Sequence, residues 1–121
     1  MPKKHILLVD DCNSAREIVR IMLNYAGYQV TEAYNGAEGV QLFKNNRHTF
    51  DLVLTDYQMP EMDGQEMAEE IHQVNEEVPI IMGTGSSDLS ESMVTKQWGI
   101  QALFHKPYEY EKLLQEINYL I

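Results

Sequence analysis

The chain is predicted to form a single α/β domain in which five strands alternate with five helices around one parallel sheet. Three observations predict it. Short apolar runs rich in branched residues recur along the sequence, a stretch with helical periodicity follows each of them, and Gly, Pro or a capping pair marks most junctions. Strands of a parallel sheet are covered on both faces, so they read as continuous apolar runs rather than alternating ones. A length of 121 residues fits one domain, residues 1–121, with a core large enough to need no disulfide or metal staple.

The elements follow in order. His5-Ile6-Leu7-Leu8-Val9 is the first strand and stops at the acidic pair Asp10-Asp11. Ser14 and Glu17 have capping-box spacing and predict a helix with Ile18, Ile21, Met22 and Tyr25 on its apolar side, closed by Gly27. Residues 29–33 alternate polar and apolar, as a strand near an edge should. Asn35 and Glu38 repeat the cap spacing and open a helix through Val40 and Phe43 to the polar cluster from Lys44 to His48. The third strand is expected over 50–55, and Asp63 with Glu66 caps a helix bearing Met67, Ile71 and Val74. A fourth strand over 78–82 runs into Gly83-Thr84-Gly85-Ser86-Ser87. Asp88 and Glu91 are expected to start a helix carrying Met93, Val94 and Trp98, closed by Gly99. The fifth strand, 101–105, ends at Lys106-Pro107. Tyr110, Leu113, Leu114, Ile117, Leu120 and Ile121 then form one helical stripe, which reads as core.

Composition excludes several functions. A net charge of −10 and a pI near 4.7 argue against direct nucleic-acid binding, which needs a basic footprint, and against an anionic membrane surface. No run approaches the roughly 18 apolar residues of a membrane span, and the first strand is too short for a signal-peptide core. Cys12 is the only cysteine, so no intrachain disulfide forms, which fits a reducing compartment. These features predict a cytoplasmic protein without membrane insertion. Cys12 reads as a small loop residue whose pKa the neighbouring carboxylates raise. His5, His48, His72 and His105 share no ligand spacing and read as surface or strand-end residues.

The polar residues that matter stand at strand ends. In open α/β sheets, ligands sit at the carboxyl ends of the strands near the point where strand order reverses. Here the first strand ends in Asp10-Asp11, the third in Asp56, the fourth in Thr84 and the fifth in Lys106. In the flavodoxin-like order 2-1-3-4-5, taken over from that fold class, the silent second strand falls at an edge and the other four are adjacent. Two carboxylates 4 Å apart repel by roughly 4 kcal/mol at an effective dielectric near 20, so the cluster calls for a proton or a cation. All-oxygen ligands favour a hard ion such as Mg²⁺, which keeps positions for water and phosphate. Asp56 is then the natural nucleophile for an aspartyl phosphate, Thr84 a hydroxyl donor and Lys106 a point charge for a phosphoryl oxygen.

From Ile6-Leu7-Leu8-Val9-Asp10-Asp11 through Asp56-Tyr57-Gln58-Met59-Pro60-Glu61-Met62-Asp63-Gly64 to Thr84 and Lys106-Pro107, the chain resembles the receiver domain of bacterial two-component response regulators. The resemblance implies that Asp56 is the phosphoacceptor and a sensor histidine kinase the donor. It implies that Asp11, Asp56 and the Gln58 backbone carbonyl ligate Mg²⁺ (or Mn²⁺), that Asp10 acts mostly through water, and that Thr84 and Lys106 contact the phosphoryl group. Gln58 and Ser86 fall where the family tunes aspartyl-phosphate lifetime. Phosphorylation is expected to switch the face of the last helices and strands for a protein partner or output domain. Such a chain is a monomer or a phosphorylation-dependent dimer, and it catalyses only its own phosphorylation and slow autodephosphorylation.

Two positions depart from the family pattern. Leu103 stands where an aromatic residue usually lies, three places before the lysine, and Phe104 should face the other side of the sheet. Gly85 replaces a small residue, often Ala, which keeps the site open and loosens the loop. Switching is expected to survive with altered kinetics and to rest on backbone movement after Thr84. The other readings are a pseudo-receiver that binds without phosphorylation, a small phosphohydrolase using Asp56 as nucleophile, and a nucleotide or flavin loop at 83–87. The last lacks a P-loop lysine and follows the wrong strand. The Met1-Pro2-Lys3-Lys4 start reads as a natural N-terminus, which disfavours the C-terminal receiver of a hybrid kinase.

Overall fold

Branched apolar runs covered from both sides build the sheet in a computed structural model, which describes residues 3–45 and 49–121. Strands β1 (His5–Val9), β3 (Leu52–Asp56) and β4 (Ile80–Thr84) are buried along their whole length. Strands β2 (Gln29–Ala33) and β5 (Ala102–His105) carry exposed or half-buried positions. All pairings are parallel and the order is β2-β1-β3-β4-β5, so the two less buried strands are the edges. Helices α1 (Asn13–Tyr25) and α5 (Tyr110–Leu120) cover one face, where Val19, Leu23, Leu113 and Ile117 meet Ile6, Leu8, Leu52, Leu54 and Ile81. Helices α2 (Gly36–Asn45), α3 (Gly64–Val74) and α4 (Glu91–Gln97) cover the other, packing Phe43, Met67, Ile71 and Val94 on Leu7, Val53, Ile80 and Met82. Full burial of each such side chain contributes about 1.5–3 kcal/mol.

Several predicted boundaries and faces are corrected. Strands β3 and β4 each run to the site residue itself, Asp56 and Thr84, so both side chains leave from regular strand backbone. The Ser14–Glu17 capping box does not form. Helix α1 starts two residues earlier, with Cys12 in place of Ser14 as its N-cap and no side-chain cap, and the Cys12 N–H is bonded to Asp10 Oδ1 at 2.9 Å. Its expected apolar side is largely exposed, with Ile18 and Ile21 each 54% and Tyr25 95% accessible, while Arg16, Val19 and Leu23 are buried. Two apolar stripes share this helix, and the sheet accepts the one whose residues lie at i, i+3 and i+7 from Arg16. Helix α4 is capped by Ser90, whose hydroxyl accepts the Met93 N–H at 3.2 Å, and not by Asp88.

Other signals hold. Gly27, at φ +100°, closes α1 in a Schellman motif, with its N–H on Asn24 O and the Tyr28 N–H on Leu23 O. Asn35 accepts the Glu38 N–H at 2.7 Å, and Asp63 with Glu66 forms the complete capping box of α3. The polar end expected for the second helix lies partly in residues 46–48, outside the described residues. Among the described residues no helix is long and apolar enough to cross a membrane.

Candidate functional site

The carboxyl ends of β1, β3, β4 and β5 bring Asp10, Asp56, Thr84 and Lys106 together, with the register pairing Asp56 beside Gly83 and Thr84 beside His105. Asp10 and Asp56 are buried and Asp11 is exposed, and one carboxylate oxygen from each lies within 4.8 Å of the others. Lys106 crosses the end of β4 to reach them. Its Nζ donates to Asp10 Oδ2 at 2.8 Å and stands 3.5 Å from Asp56 Oδ1. The Lys106 N–H donates to the Thr84 carbonyl at 2.8 Å, which fixes the base of the lysine on β4.

The electrostatics are those of an anion-rich cleft. Burial pushes the Asp56 carboxyl up to about 6, Lys106 opposes that rise, and the charges of Asp10 and Asp11 reinforce it. Burial works against the Lys106 ammonium, but its bonds to Asp10 and Asp56 outweigh burial and hold its pKa above the ordinary value. One ammonium thus pairs with two of the three clustered carboxylates, and the donor set is entirely oxygen. Both properties fit a hard divalent cation, and Asp10, Asp11 and Asp56 are the residues placed to hold it.

Each sequence-predicted site residue has a place. Thr84 is fully buried, and its Oγ1 accepts the Ser86 N–H at 3.0 Å, which leaves its own proton to donate elsewhere. Gln58 is exposed two residues beyond Asp56, and Ser86 is half-buried with its Oγ accepting the Asp88 N–H. Leu103 is buried among the α2–α4 side chains and Phe104 packs against the α1–α5 cluster, so the two do face opposite sides of the sheet. The Cys12 expectation is reversed: the Ser14 hydroxyl and the Ala15 N–H lower its pKa, outweighing burial and the Asp10 charge. Direct hydrogen bonds to the sulfur, the Ser14 contact at 3.5 Å first among them, win over the charge of the nearby carboxylate. His5 is buried rather than superficial, held by Thr31 Oγ1 at 2.7 Å and by the Phe50 ring.

Two features were not anticipated. Arg16 is buried beneath the acidic loop, with Nη1 donating to the Asp10 carbonyl at 2.7 Å, Nη2 to Asn13 Oδ1 and Nε to Glu32 Oε1. The signal was available, since Arg16, Val19 and Leu23 have helical core spacing. Tyr57, next to Asp56, stacks on Trp98 at the end of α4 with ring centroids 5.6 Å apart. That contact joins residues 41 positions apart in sequence and leaves no local trace.

Residues 6–118 match the response regulator receiver domain family. The chain belongs to that family. Among curated proteins it is 34% identical over 114 residues to the transcriptional regulatory protein GlrR of Escherichia coli, covering 94% of this chain and 25% of that one. It is 34% identical over 116 residues to the response regulator MprA of a Mycobacterium species, covering 96% and 50%. The chain therefore spans a quarter to a half of these curated relatives. Among solved structures, a receiver domain protein from Clostridium thermocellum superposes with a TM-score of 0.91 at 28% identity, covering 98% and 94% of the two chains. The chemotaxis protein CheY4 of Vibrio cholerae gives 0.89 at 29% identity, with 99% and 100% covered.

Proposed function

We propose that this chain is a phosphoacceptor: a histidine kinase transfers a phosphoryl group to Asp56 in a reaction that depends on Mg²⁺ or Mn²⁺. The observation that carries the reading is the convergence of three carboxylates and Lys106 at four strand ends of a receiver-family chain. An Asp56 carboxylate oxygen forms a bond to phosphorus while the bond from phosphorus to the donor imidazole nitrogen breaks and its electron pair returns to the imidazole. Asp10, Asp11 and Asp56, with the Gln58 carbonyl, would hold the cation, which would supply positive charge to neutralise phosphoryl oxygens there. Lys106 lowers the pKa of Asp56, keeping the nucleophile ionised, and leaves Asp10 to pair with a phosphoryl oxygen. The Thr84 proton serves a second oxygen.

The acyl phosphate is then read on the α4–β5–α5 face by a protein partner or output domain. Leu103 offers no aromatic rotamer to report on Thr84, so the backbone from Thr84 to Ser90 carries the change to α4. Gln58 and Ser86 flank the phosphoryl position and set how readily water reaches it. Slow loss of its own phosphate is the only turnover this reading requires.

Intact mass after incubation with acetyl phosphate and Mg²⁺ tests it, with Asp56→Asn and a chelated sample alongside. One added phosphoryl mass on the wild type, absent from both controls, is expected. An unmodified wild type with acetyl phosphate and with an active histidine kinase would overturn the reading in favour of phosphate-independent binding.

A further inference from the structure

We propose that Arg16 is a positioning residue of the acidic cluster, whose guanidinium fixes the main chain at Asp10 so that the Asp10 and Asp11 carboxylates are pre-set for a divalent cation. The inference rests on the phosphoacceptor reading, which supplies the cation, and it assigns a role to a residue outside the expected ligand set.

A buried arginine needs its donors used, because an unsatisfied guanidinium is costly away from water. Arg16 is 5% exposed and its three nitrogens reach three separate parts of the fold. Nε bonds Glu32 on β2 at 3.1 Å, Nη2 bonds Asn13 in the first turn of α1 at 2.9 Å, and Nη1 bonds the Asp10 carbonyl beyond β1 at 2.7 Å. The guanidinium carbon lies 4.6 Å from the centroid of the Tyr34 ring, which closes the remaining side. The planar fork therefore ties the acidic loop to a rigid frame in one orientation, as a lysine could not.

The Asp10 bond is the one that bears on the site. The Asp10 N–H is held by Ala33 O at 3.2 Å, its Oδ1 by the Cys12 N–H and its Oδ2 by Lys106. The carbonyl is the remaining polar group of Asp10, and it belongs to the peptide that leads into Asp11. Fixing that peptide plane fixes the direction in which the exposed Asp11 carboxylate leaves the chain. Glu32 does not require Arg16 for its own pairing, because Arg20 Nε stands 3.4 Å from its other oxygen.

Charge and position act in opposite directions here. A guanidinium bonded to the main chain of the acidic loop repels an incoming cation, so removing it strengthens cation binding if charge is its only influence. Loss of positioning weakens binding, typically about tenfold for a residue that orients a metal ligand from behind. The sign separates the two.

Mn²⁺ binding to the full chain, read from the free-ion electron paramagnetic resonance signal, makes the test. Arg16→Met is expected to raise the dissociation constant about tenfold. Arg20→Met removes the same charge and a Glu32 contact without touching Asp10, and is expected to bind as tightly as wild type or tighter. Arg16→Lys keeps the charge and the Glu32 pair but not the fork. It is expected to bind less tightly than wild type, and it carries the test if Arg16→Met fails to give a cooperative melt. Wild-type affinity in Arg16→Lys, or wild-type or tighter affinity in a folded Arg16→Met, overturns the inference. A wild type that binds no better than Asp11→Asn overturns instead the cation reading beneath it.

Discussion

Two segments leave the site toward the same face of the sheet, one after Asp56 and one after Thr84, and they are held very differently. After Asp56 the Tyr57 N–H bonds Gly83 O at 2.8 Å, the Gly64 N–H returns to Tyr57 O at 2.8 Å, and Asp63 and Glu66 cap each other's backbone. The helix that follows, α3, has 11 residues and buries Gly64, Met67, Ala68 and Ile71. After Thr84 the chain is held by side-chain turns, Ser86 N–H on Thr84 Oγ1 and Asp88 N–H on Ser86 Oγ, before α4 begins. That helix has seven residues and buries only Val94. Segments with few buried apolar contacts sit at the low end of local stability. The proposed phosphoacceptor is thus mounted on the rigid segment, and the hydroxyl proposed to answer it heads the compliant one. In the proposed switch a phosphoryl group on Asp56 would act on α4 through the compliant segment, while the rigid one holds the acceptor.

The largest expected effect lies on the rigid side. A Cβ at Gly64 would stand 2.6 Å from the Asp56 carbonyl and 2.9 Å from the Met82 methyl, with backbone on one side and a fully buried side chain on the other. Gly64→Ala is expected to cost about 3 kcal/mol in urea unfolding. A loss well below 1 kcal/mol would show that this segment gives way as easily as its neighbour.

A smaller effect comes from the acid at its centre. Asp56 has a folded pKa raised to about 6, above the ordinary carboxylate value near 4, so the folded chain binds more protons between those two pH values. Stability without added cation therefore falls as pH rises through about 4 to 6. Asp56→Asn removes the ionisation and is expected to stabilise the chain at pH 7 by about 1–2 kcal/mol after allowance for solvent screening, with the gain fading toward pH 4. Thermal melts of both chains across that range check it, and a gain independent of pH would contradict the burial argument.

The smallest effect lies on the compliant side. A Cβ at Gly85 meets nothing within 4 Å, and its φ is outside the left-handed region. Gly85→Ala is expected to stabilise by about 0.5 kcal/mol through the unfolded chain and to slow amide exchange over 86–97. Faster exchange there would mean that the loop needs glycine for its resting conformation.

Much of this was legible in the residues. The alternation of elements was readable because buried parallel strands are apolar on both sides and helices keep a 3.6-residue period, both short-range patterns. Asp10, Asp56, Thr84 and Lys106 were readable as a site because each ends a strand, and parallel connections carry all strand ends to one rim. The capping boxes show where such local reading divides. Asp63–Glu66 formed as its spacing predicted, whereas Ser14–Glu17 did not, because the helix starts upstream at Cys12, whose N–H is bonded to Asp10.

The sequence by itself determined the order of elements, the residues at the rim and the oxygen-only chemistry of the cluster, since all three follow from neighbours within a few positions. Tertiary structure decided which stripe of α1 turns inward, that Arg16 is buried behind Asp10, that Lys106 rests on Asp10 before Asp56, and that Tyr57 stacks on Trp98. Those outcomes depend on side chains from distant strands competing for one partner or one patch of sheet. A periodic pattern offers the candidates, and only the packed sheet chooses among them.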